Sequence, residues 1–400
     1  MANTILTPTA VTRACLVILH QKCNFIGNIN RQYDSSFAKE GAKIGSDLKI
    51  RLPNQYTVRS GATLSAQDTT ETSTTLQVNT QKGVDLNFTS ADLTLSLQDF
   101  TKRIIEPAMS VLAAAIESDA LSMLNDVYQQ VNNIGSAATF AKLLAGRKTL
   151  NDALTPEGKR SAILNTQDNA DLVDALKGLF NDQAGLSKQY KEGAMGRTAG
   201  FDFYENTQLT NRTNGQRGGT PLMNGSTSSG ATSIVTDGWT ASAANRVKKG
   251  DIFTIAGVNR VHPETKADTG VLQTFTVTAD TSSDGSGNAT IPISPAIIST
   301  GATQNVSALP ADNAALTFHG NASAVYGQSI LFHEDAFTFA TADLVMPTGV
   351  DWSAREELDG ISMRMVRQYD INNDKFPTRL DVLYGYKTLR AQLACRLANN

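Results

Sequence analysis

The chain has 400 residues, 40% of them hydrophobic, and its 35 basic and 38 acidic residues leave a formal net charge of −3. This length is typical of about two or three globular domains with buried cores. The near balance of charge, with no run of like charges, argues against a protein that binds DNA by neutralising phosphates. No apolar stretch approaches the roughly 18 residues of a membrane-spanning helix, so we expect no membrane partner.

The first residues show no signal-peptide pattern, so we expect synthesis in the cytoplasm. The three cysteines, Cys15, Cys23 and Cys395, form no pair at metal-ligand spacing. If Cys15 and Cys23 share a helix, they lie about 12 Å apart along its axis, too far for a disulfide. We therefore expect reduced cysteines.

Residues 9–22 have the pattern of an amphipathic helix that Pro8 starts. Its apolar side carries Val11, Ala14, Cys15, Ile18 and Leu19. A helix at the end of a chain has little partner surface of its own. We therefore consider Val11, Ile18 and Leu19 as contacts to a neighbouring subunit or to a scaffolding protein, and packing on the chain's own long helix stays an equal alternative.

Residues 43–88 have the alternation of a long antiparallel hairpin with a polar tip at 60–74. Its two arms of about 12 residues would each extend roughly 40 Å at about 3.3 Å per residue. A lone two-stranded ribbon is marginally stable in water, so other subunits should hold it. We expect Lys49, Arg51 and Arg59 to meet acidic residues of neighbouring subunits; the alternative is a solvated edge that discourages wrong pairing.

Residues 96–133 have the pattern of one long helical stretch, which we call the spine. Apolar residues recur there at steps of three and four: Ile105, Met109, Leu112, Ile116, Ala120, Leu124, Val127 and Val131. Pro107 favours a restart, with a helix over 108–132 that would be roughly 37 Å long at about 1.5 Å per residue. Gly135 is the expected stop.

The rest of the chain alternates between mixed and all-β patterns. Helices at 139–154 and 168–180, strands at 161–164 and 201–204, and a glycine-rich loop at 185–200 indicate an α/β region. Composition changes near Asn211, and short β runs at 233–235, 251–255, 271–279, 289–293 and 315–318 indicate an inserted all-β domain. Strands at 330–339, 361–369 and 379–386 follow, and 389–397 form a strand or short helix.

No catalytic, cofactor or metal-binding pattern emerges from the sequence. The four histidines stand at no ligand spacing, and His333, Glu334 and Asp335 form the one local acid and base cluster. On a strand, alternate side chains point apart, so His333 and Glu334 do not easily share a site. A hydrolase using these two residues stays one rival interpretation. A β-rich surface adhesin, suggested by the Ser, Thr and Gly content after Thr213, is another.

Three stretches of sequence carry a resemblance to a known family. They are VKKGDIFTIAGV at 247–258, AGFD at 199–202 and ILNTQD at 163–168. With the order of the elements, they resemble the HK97 fold of tailed-phage major capsid proteins, and in particular the P22 coat protein family, which carries an insertion at the same place. That family has a long aspartate-rich loop early in its insertion, whereas residues 233–249 are too short and too poor in Asp to supply it.

The resemblance implies an α+β, HK97-like fold with an inserted all-β domain. Its expected parts are an N-terminal arm (1–42), an extended hairpin (43–92), the spine with the P-domain (93–135), the first part of the A-domain (136–222), the inserted β-barrel (223–320) and the returning strands (321–400).

The implied function is a non-enzymatic major capsid protein that assembles into hexamers and pentamers of an icosahedral shell. The expected partners are other copies, a scaffolding protein, a portal protein at one vertex and packaged double-stranded DNA held by non-specific contact only. The expected location is the virion, after assembly in the host bacterial cytoplasm, and no cofactor is implied.

Overall fold

The computed structural model describes residues 8–31, 47–59, 61–64, 66, 72–89, 101–176, 196–358, 360–373 and 375–400. Two units emerge from their contacts, and each is built from separate stretches of chain. The first unit draws on 1–51, 73–122 and 337–389, and the second on 52–72, 123–336 and 390–400.

The spine helix of the first unit is shorter than predicted. It spans Glu106–Leu121, after a π-helical turn at Thr101–Ile105. Pro107 lies in its first turn, where the missing N–H would have no helical partner, as the predicted restart required. The prediction that the helix continues to residue 132 is wrong. Gln130–Asn132 form a strand instead, because their backbone groups pair with the last strand of the chain.

A five-stranded sheet accompanies the spine helix in the first unit. Its strands are β3 (Thr80–Thr89), β16 (Phe337–Ala342), β17 (Trp352–Leu358), β18 (Ile361–Arg367) and β19 (Lys375–Thr388). β19 is the central strand, since it pairs antiparallel with β16, β18 and β3. The predicted single strand at 330–339 is wrong: it divides at a 3-10 turn, Glu334–Ala336, and only its second part belongs here.

The predicted hairpin is present at its base, but its arms are short. β1 (Asp47–Arg51) pairs antiparallel with β2 (Ser73–Gln77), with Asp47 opposite Gln77. The second half of the predicted return arm belongs to β3, which pairs with β19 from Thr89 opposite Lys375 to Thr80 opposite Tyr384. A place in a larger sheet satisfies more backbone groups than a two-stranded ribbon does, so the predicted arms of about 12 residues do not form.

The second unit contains a mixed sheet with two helices. Its strand order is β4, β20, β15, β5, β7, β6, and β8 pairs with β15. The strands are β4 (Gln130–Asn132), β5 (Arg160–Leu164), β6 (Arg197–Thr198), β7 (Phe201–Glu205), β8 (Arg212–Thr213), β15 (Val325–His333) and β20 (Ala394–Asn399). The helices are Phe140–Asp152, which Thr139 caps, and Thr166–Leu176. Both predicted helices and both predicted strands of this region are confirmed; residues 177–180 and 185–195 lie outside the described residues.

The inserted region forms an antiparallel β-barrel, in the order β14, β11, β12, β13, β10, β9. The strands are β9 (Gly219–Met223), β10 (Ala231–Trp239), β11 (Ile252–Val261), β12 (Asp268–Val277), β13 (Ala289–Ile297) and β14 (Leu316–Phe318). A bridge between Leu222 and Ala315 joins the two ends of this order. Each of the five predicted β runs overlaps one of these strands, while β9, with its Gly and Pro, was missed.

The barrel has its own hydrophobic core. Phe253, Phe275, Ile291 and Val306 are fully buried in one cluster with other residues of the same region. Because this apolar surface is buried within the barrel itself, the barrel does not need the rest of the chain to cover it.

We therefore expect residues 218–320, expressed alone, to give dispersed amide signals and a cooperative thermal unfolding transition. As a matched pair, Phe253→Ala should abolish or strongly lower the transition, because truncating a buried Phe costs about 3–5 kcal/mol. Val235→Ala, at an exposed position of β10, should leave it nearly unchanged. A random-coil spectrum of the parent fragment would contradict an independent core.

Candidate assembly surfaces

The hairpin base has one buried face and one exposed face. Ile50, Leu76 and Val78 are at most 2% exposed and pack in a cluster with residues of β16 and β19. At Gly385 of β19, an added Cβ would lie 2.1 Å from the carbonyl oxygen of Gln77, so only glycine permits this close approach. The base is therefore fixed on the sheet by packing and by backbone proximity.

The charged candidates of the hairpin are all exposed. Lys49 and Arg51 lie on β1, on either side of buried Ile50 in sequence, as the alternation of a half-buried strand requires. In the second unit, Arg59 is also exposed, and its guanidinium donates a hydrogen bond to the carbonyl of Gly61. These three side chains remain predicted contacts to neighbouring subunits.

The N-terminal helix (Pro8–Lys22) lies on its own unit, packed on the spine helix and on β17 and β18. Val11 and Leu19 are at most 1% exposed, and Ile18 is half-buried. A fully buried side chain does not reach a second subunit in this conformation. The alternative of packing on the spine therefore accounts for Val11 and Leu19, and only Ile18 of the three keeps an exposed part.

A buried carboxylate joins the next segment to the spine helix. Glu117 is 1% exposed, and its oxygens accept hydrogen bonds from the backbone N–H groups of Phe25, at 2.5 Å, and Ile26, at 3.3 Å. These N–H groups begin the short helix Asn24–Gly27, where helical backbone leaves donors without partners. This role of Glu117 was not predicted from the sequence, since its position beside the apolar stripe gives no sign of a partner.

In the second unit, a buried ion pair connects the barrel to the strands before it. The Asp251 carboxylate is fully buried; one oxygen lies 2.9 Å from Nη2 of Arg212, and the other accepts from the backbone N–H groups of Gly215 and Lys248 at 3.0 and 3.1 Å. Gly250 has φ +86°, and an added Cβ would lie 2.6 Å from Oδ1 of Asn125. These contacts give the Lys-Lys-Gly-Asp sequence a structural role as a turn.

Arg396 of β20 extends this charged group, and we call Arg212, Asp251 and Arg396 the charge hub. Arg396 is fully buried, and its Nη2 donates to the carbonyl of Gly250 at 3.0 Å. Burial lowers the pKa of Arg396 to about 10, which leaves it charged at neutral pH. Burial, with the nearby Arg396 and Arg217, also lowers the pKa of His319 to about 4, so this imidazole is neutral at pH 7.

The predicted acid and base cluster has structural partners. His333 ends β15 and is 5% exposed, and burial lowers its pKa. Glu334 lies in the following 3-10 turn, where Oε1 is 2.7 Å from Nζ of Lys159. His333 Nδ1 accepts from the backbone N–H of Asp335 at 3.3 Å. The two candidate catalytic groups are therefore on different elements and take part in separate local contacts.

Within the part of the chain that the structure describes, no group of three or more His, Cys, Asp or Glu side chains could hold a metal ion. No helix in these same ranges is long and apolar enough to cross a membrane. The three cysteines are free and buried. Residues 280–288, whose Asp and Gly content faintly resembles a calcium-binding loop, form a turn in which Asp284 Oδ1 accepts from the backbone N–H groups of Ser286 and Asn288, both at 2.8 Å.

The chain is similar in sequence to one protein family, since residues 25–395 match the family profile described as P22 coat protein, gene protein 5. No curated protein sequence matches it significantly. Its fold is similar to the structure from Mycobacterium phage Che8, at 14% identity and TM-score 0.47, over 92% of this chain and 89% of that chain. The capsid structure of the cyanophage P-SCSP1u is similar at 10% identity and TM-score 0.44, over 90% of this chain and 84% of that chain. The I-domain of the CUS-3 coat protein is similar at 30% identity and TM-score 0.19, over 26% of this chain and 97% of that domain.

The packing of the N-terminal helix generates one prediction. Leu19→Ala should lower the free energy of unfolding by about 2–5 kcal/mol, because it removes a buried side chain and leaves a cavity. Val17→Ala on the same helix should change it by less than about 0.5 kcal/mol, since Val17 is 39% exposed. Urea unfolding of the purified chain measures both, and equally small effects would show that the helix does not pack on its own chain.

The charge hub generates a second prediction. Asp251→Asn should lower the free energy of unfolding by about 3 kcal/mol, because Arg212 then stays buried without its counter-charge. Asp202→Asn is the control: Asp202 pairs with Arg197 at 3.4 Å, and their side chains are 38% and 56% exposed, so its loss should cost less than about 1 kcal/mol. Equal costs in urea unfolding would contradict a special role for the hub.

Proposed function

The chain belongs to the P22 coat protein family and is the major capsid protein of a tailed phage, and from this premise we propose that its copies assemble into hexamers and pentamers of an icosahedral shell around double-stranded DNA. The observation that carries the proposal is the family match over residues 25–395. It also accounts for the predicted HK97-like order of elements, with an inserted barrel between strands of one sheet. The family implies a structural role, in place of the adhesin and hydrolase alternatives.

The exposed hairpin supports contacts between copies. Its base is packed on a sheet, while Lys49 and Arg51 remain on the exposed face. A buried apolar face fixes the position of the strand, so these charges are held in place for a partner without the full entropy cost of ordering a flexible loop. Charged edges of this kind set the register and orientation of an interface more than its affinity.

Further partners follow from the shell. We infer a scaffolding protein during assembly, a portal protein at one vertex, and packaged DNA held by non-specific contact, all in a virion assembled in the host bacterial cytoplasm. A net charge of −3 supports weak contact with DNA, because a strongly basic inner wall would retain it. A scaffolding protein that binds the N-terminal helix would contact its exposed side, with Arg13 and Val17.

The link between capsomers differs from the family pattern. Residues 240–251, between β10 and β11, contain a single acid, Asp251, and this acid is buried in the charge hub. The segment therefore offers no carboxylate to a neighbouring capsomer, and we infer that other surfaces connect the capsomers of this shell.

Electron microscopy of the purified protein should show angular particles, and a stable monomer under all conditions would contradict the proposal.

The double variant Arg51→Glu, Arg59→Glu should give a folded chain that yields at least about tenfold fewer particles at low salt, because both charges then repel the acids that they meet. The matched control, Arg51→Lys with Arg59→Lys, retains the charge and should assemble at nearly the parent level. If the reversed variant assembles as well as the parent at low salt, these side chains do not contact acids of a neighbour.

A further inference from the structure

A cleft of about 550 Å³ opens in the second unit between the barrel and the helix Phe140–Asp152. One wall is the C-terminal half of this helix, including Thr149 and Asp152, and the other is formed by β11, β12 and the loop at 303–305. An ion pair between Arg260 and Asp152 joins the walls. The size lies in the range of ligand-binding clefts.

The cleft contains a strand edge without a ladder partner. β12 pairs with β11 from Asp268 to Thr276, but it pairs with β13 only at Thr276 and Val277. On the β13 side, residues 268–274 have no partner strand among the described residues. Val271 and Leu272 line the cleft there and are 48% and 38% exposed. An unpaired edge beside exposed apolar side chains is the arrangement that binds an extended peptide by strand addition.

Two buried side chains of the cleft have acceptors without hydrogen-bond donors. Gln129 and Gln130 line it and are 7% and 9% exposed, and Oε1 of each has no partner. A buried acceptor without a donor costs on the order of 1–3 kcal/mol, so a ligand that supplies N–H groups would relieve this cost. The chemistry of the cleft therefore favours a segment with backbone or amide donors and apolar side chains.

One segment of this chain has the matching properties. Residues 56–59 alternate apolar and polar as a strand does, and residues 52–59 form no strand in the structure. Their apolar side chains Tyr56 and Val58 are 56% and 95% exposed. Gln55 of the same segment already lines the cleft, although the segment does not pair with β12.

We propose that the cleft is the docking site for residues 52–59 of a second copy of this chain, which adds a strand to the free edge of β12 and places Tyr56 and Val58, which share one face of the added strand, beside Leu272. This inference rests on the proposed shell, in which identical copies lie side by side. It deepens that function because it assigns the surface that receives the hairpin segment, and it gives the barrel a part in contacts between copies.

Disulfide trapping in shells tests the proposal. Chains with Val58→Cys and chains with Leu272→Cys are co-assembled, and particles are counted by electron microscopy before mild oxidation. A disulfide between these two variants can form only between copies, so a denaturing gel without reductant should show a dimer band at least about tenfold stronger than in the control. The control pairs Val58→Cys with Val235→Cys, which is exposed on β10 outside the cleft. The native thiols contribute little, since they are buried and burial raises the pKa of Cys15 and of Cys395 to about 12.

Particles with no more dimer than the control would overturn the docking site while leaving the shell intact, whereas an absence of particles from the parent chain would count against the proposed function. A second measurement does not need shells: a labelled synthetic peptide of residues 51–60 should bind the full chain, and Leu272→Glu should weaken it at least about tenfold. Equal binding by the variant, or none by the parent, would also overturn the proposal.

Discussion

The buried pair of Asp251 and Arg212 is the interaction on which the second unit depends. Removing two charges from water is costly, and their attraction offsets this only when further hydrogen bonds satisfy most of the remaining polar atoms. In this group, Nε of Arg212 and both Nε and Nη1 of Arg396 are buried without a hydrogen-bond partner within the described ranges. Here two backbone N–H groups donate hydrogen bonds to the Asp251 carboxylate, and the carbonyl of Gly250 accepts one from Arg396 on the last strand. Such a group tolerates few alternative arrangements, so it fixes where the barrel joins the sheet. The hydrophobic core of the barrel could not do this alone, because apolar packing has little directional preference.

Local patterns were good guides to single elements. The N-terminal helix, the helix capped by Thr139 and the barrel strands follow from periodicity and turn residues that act over a few positions. The end of the spine helix does not, because Val131 fits the helical stripe as well as it fits a strand, and its pairing partner lies at Leu397. The same is true of β3, whose partner strand is some three hundred residues away in the chain. Pairing over such distances leaves no trace in a local window.

The candidate surfaces show the same difference between local features, which the sequence pattern predicts, and long-range partners, which it does not. Alternation around Ile50 correctly placed Lys49 and Arg51 on an exposed face. For the N-terminal helix, the apolar face was identified, but its partner was not, since Val11 and Leu19 would look the same whether they pack on the spine or on another subunit. Glu117 and Asp251 were missed because a buried acid resembles a surface acid in sequence. Its burial depends on backbone donors that distant segments supply.

The discontinuous course of the first unit has a consequence for folding. Its β3 and β19 pair directly, yet residues 123–336 of the second unit lie between them in the chain. Closing a flexible loop of that length is entropically expensive, and each halving of its effective length recovers about 0.6 kcal/mol. A second unit that has already folded replaces the flexible loop with a compact body whose ends are held at a set distance. Substitutions that slow the folding of the second unit therefore delay formation of the five-stranded sheet in the first unit, although they change no residue of that sheet.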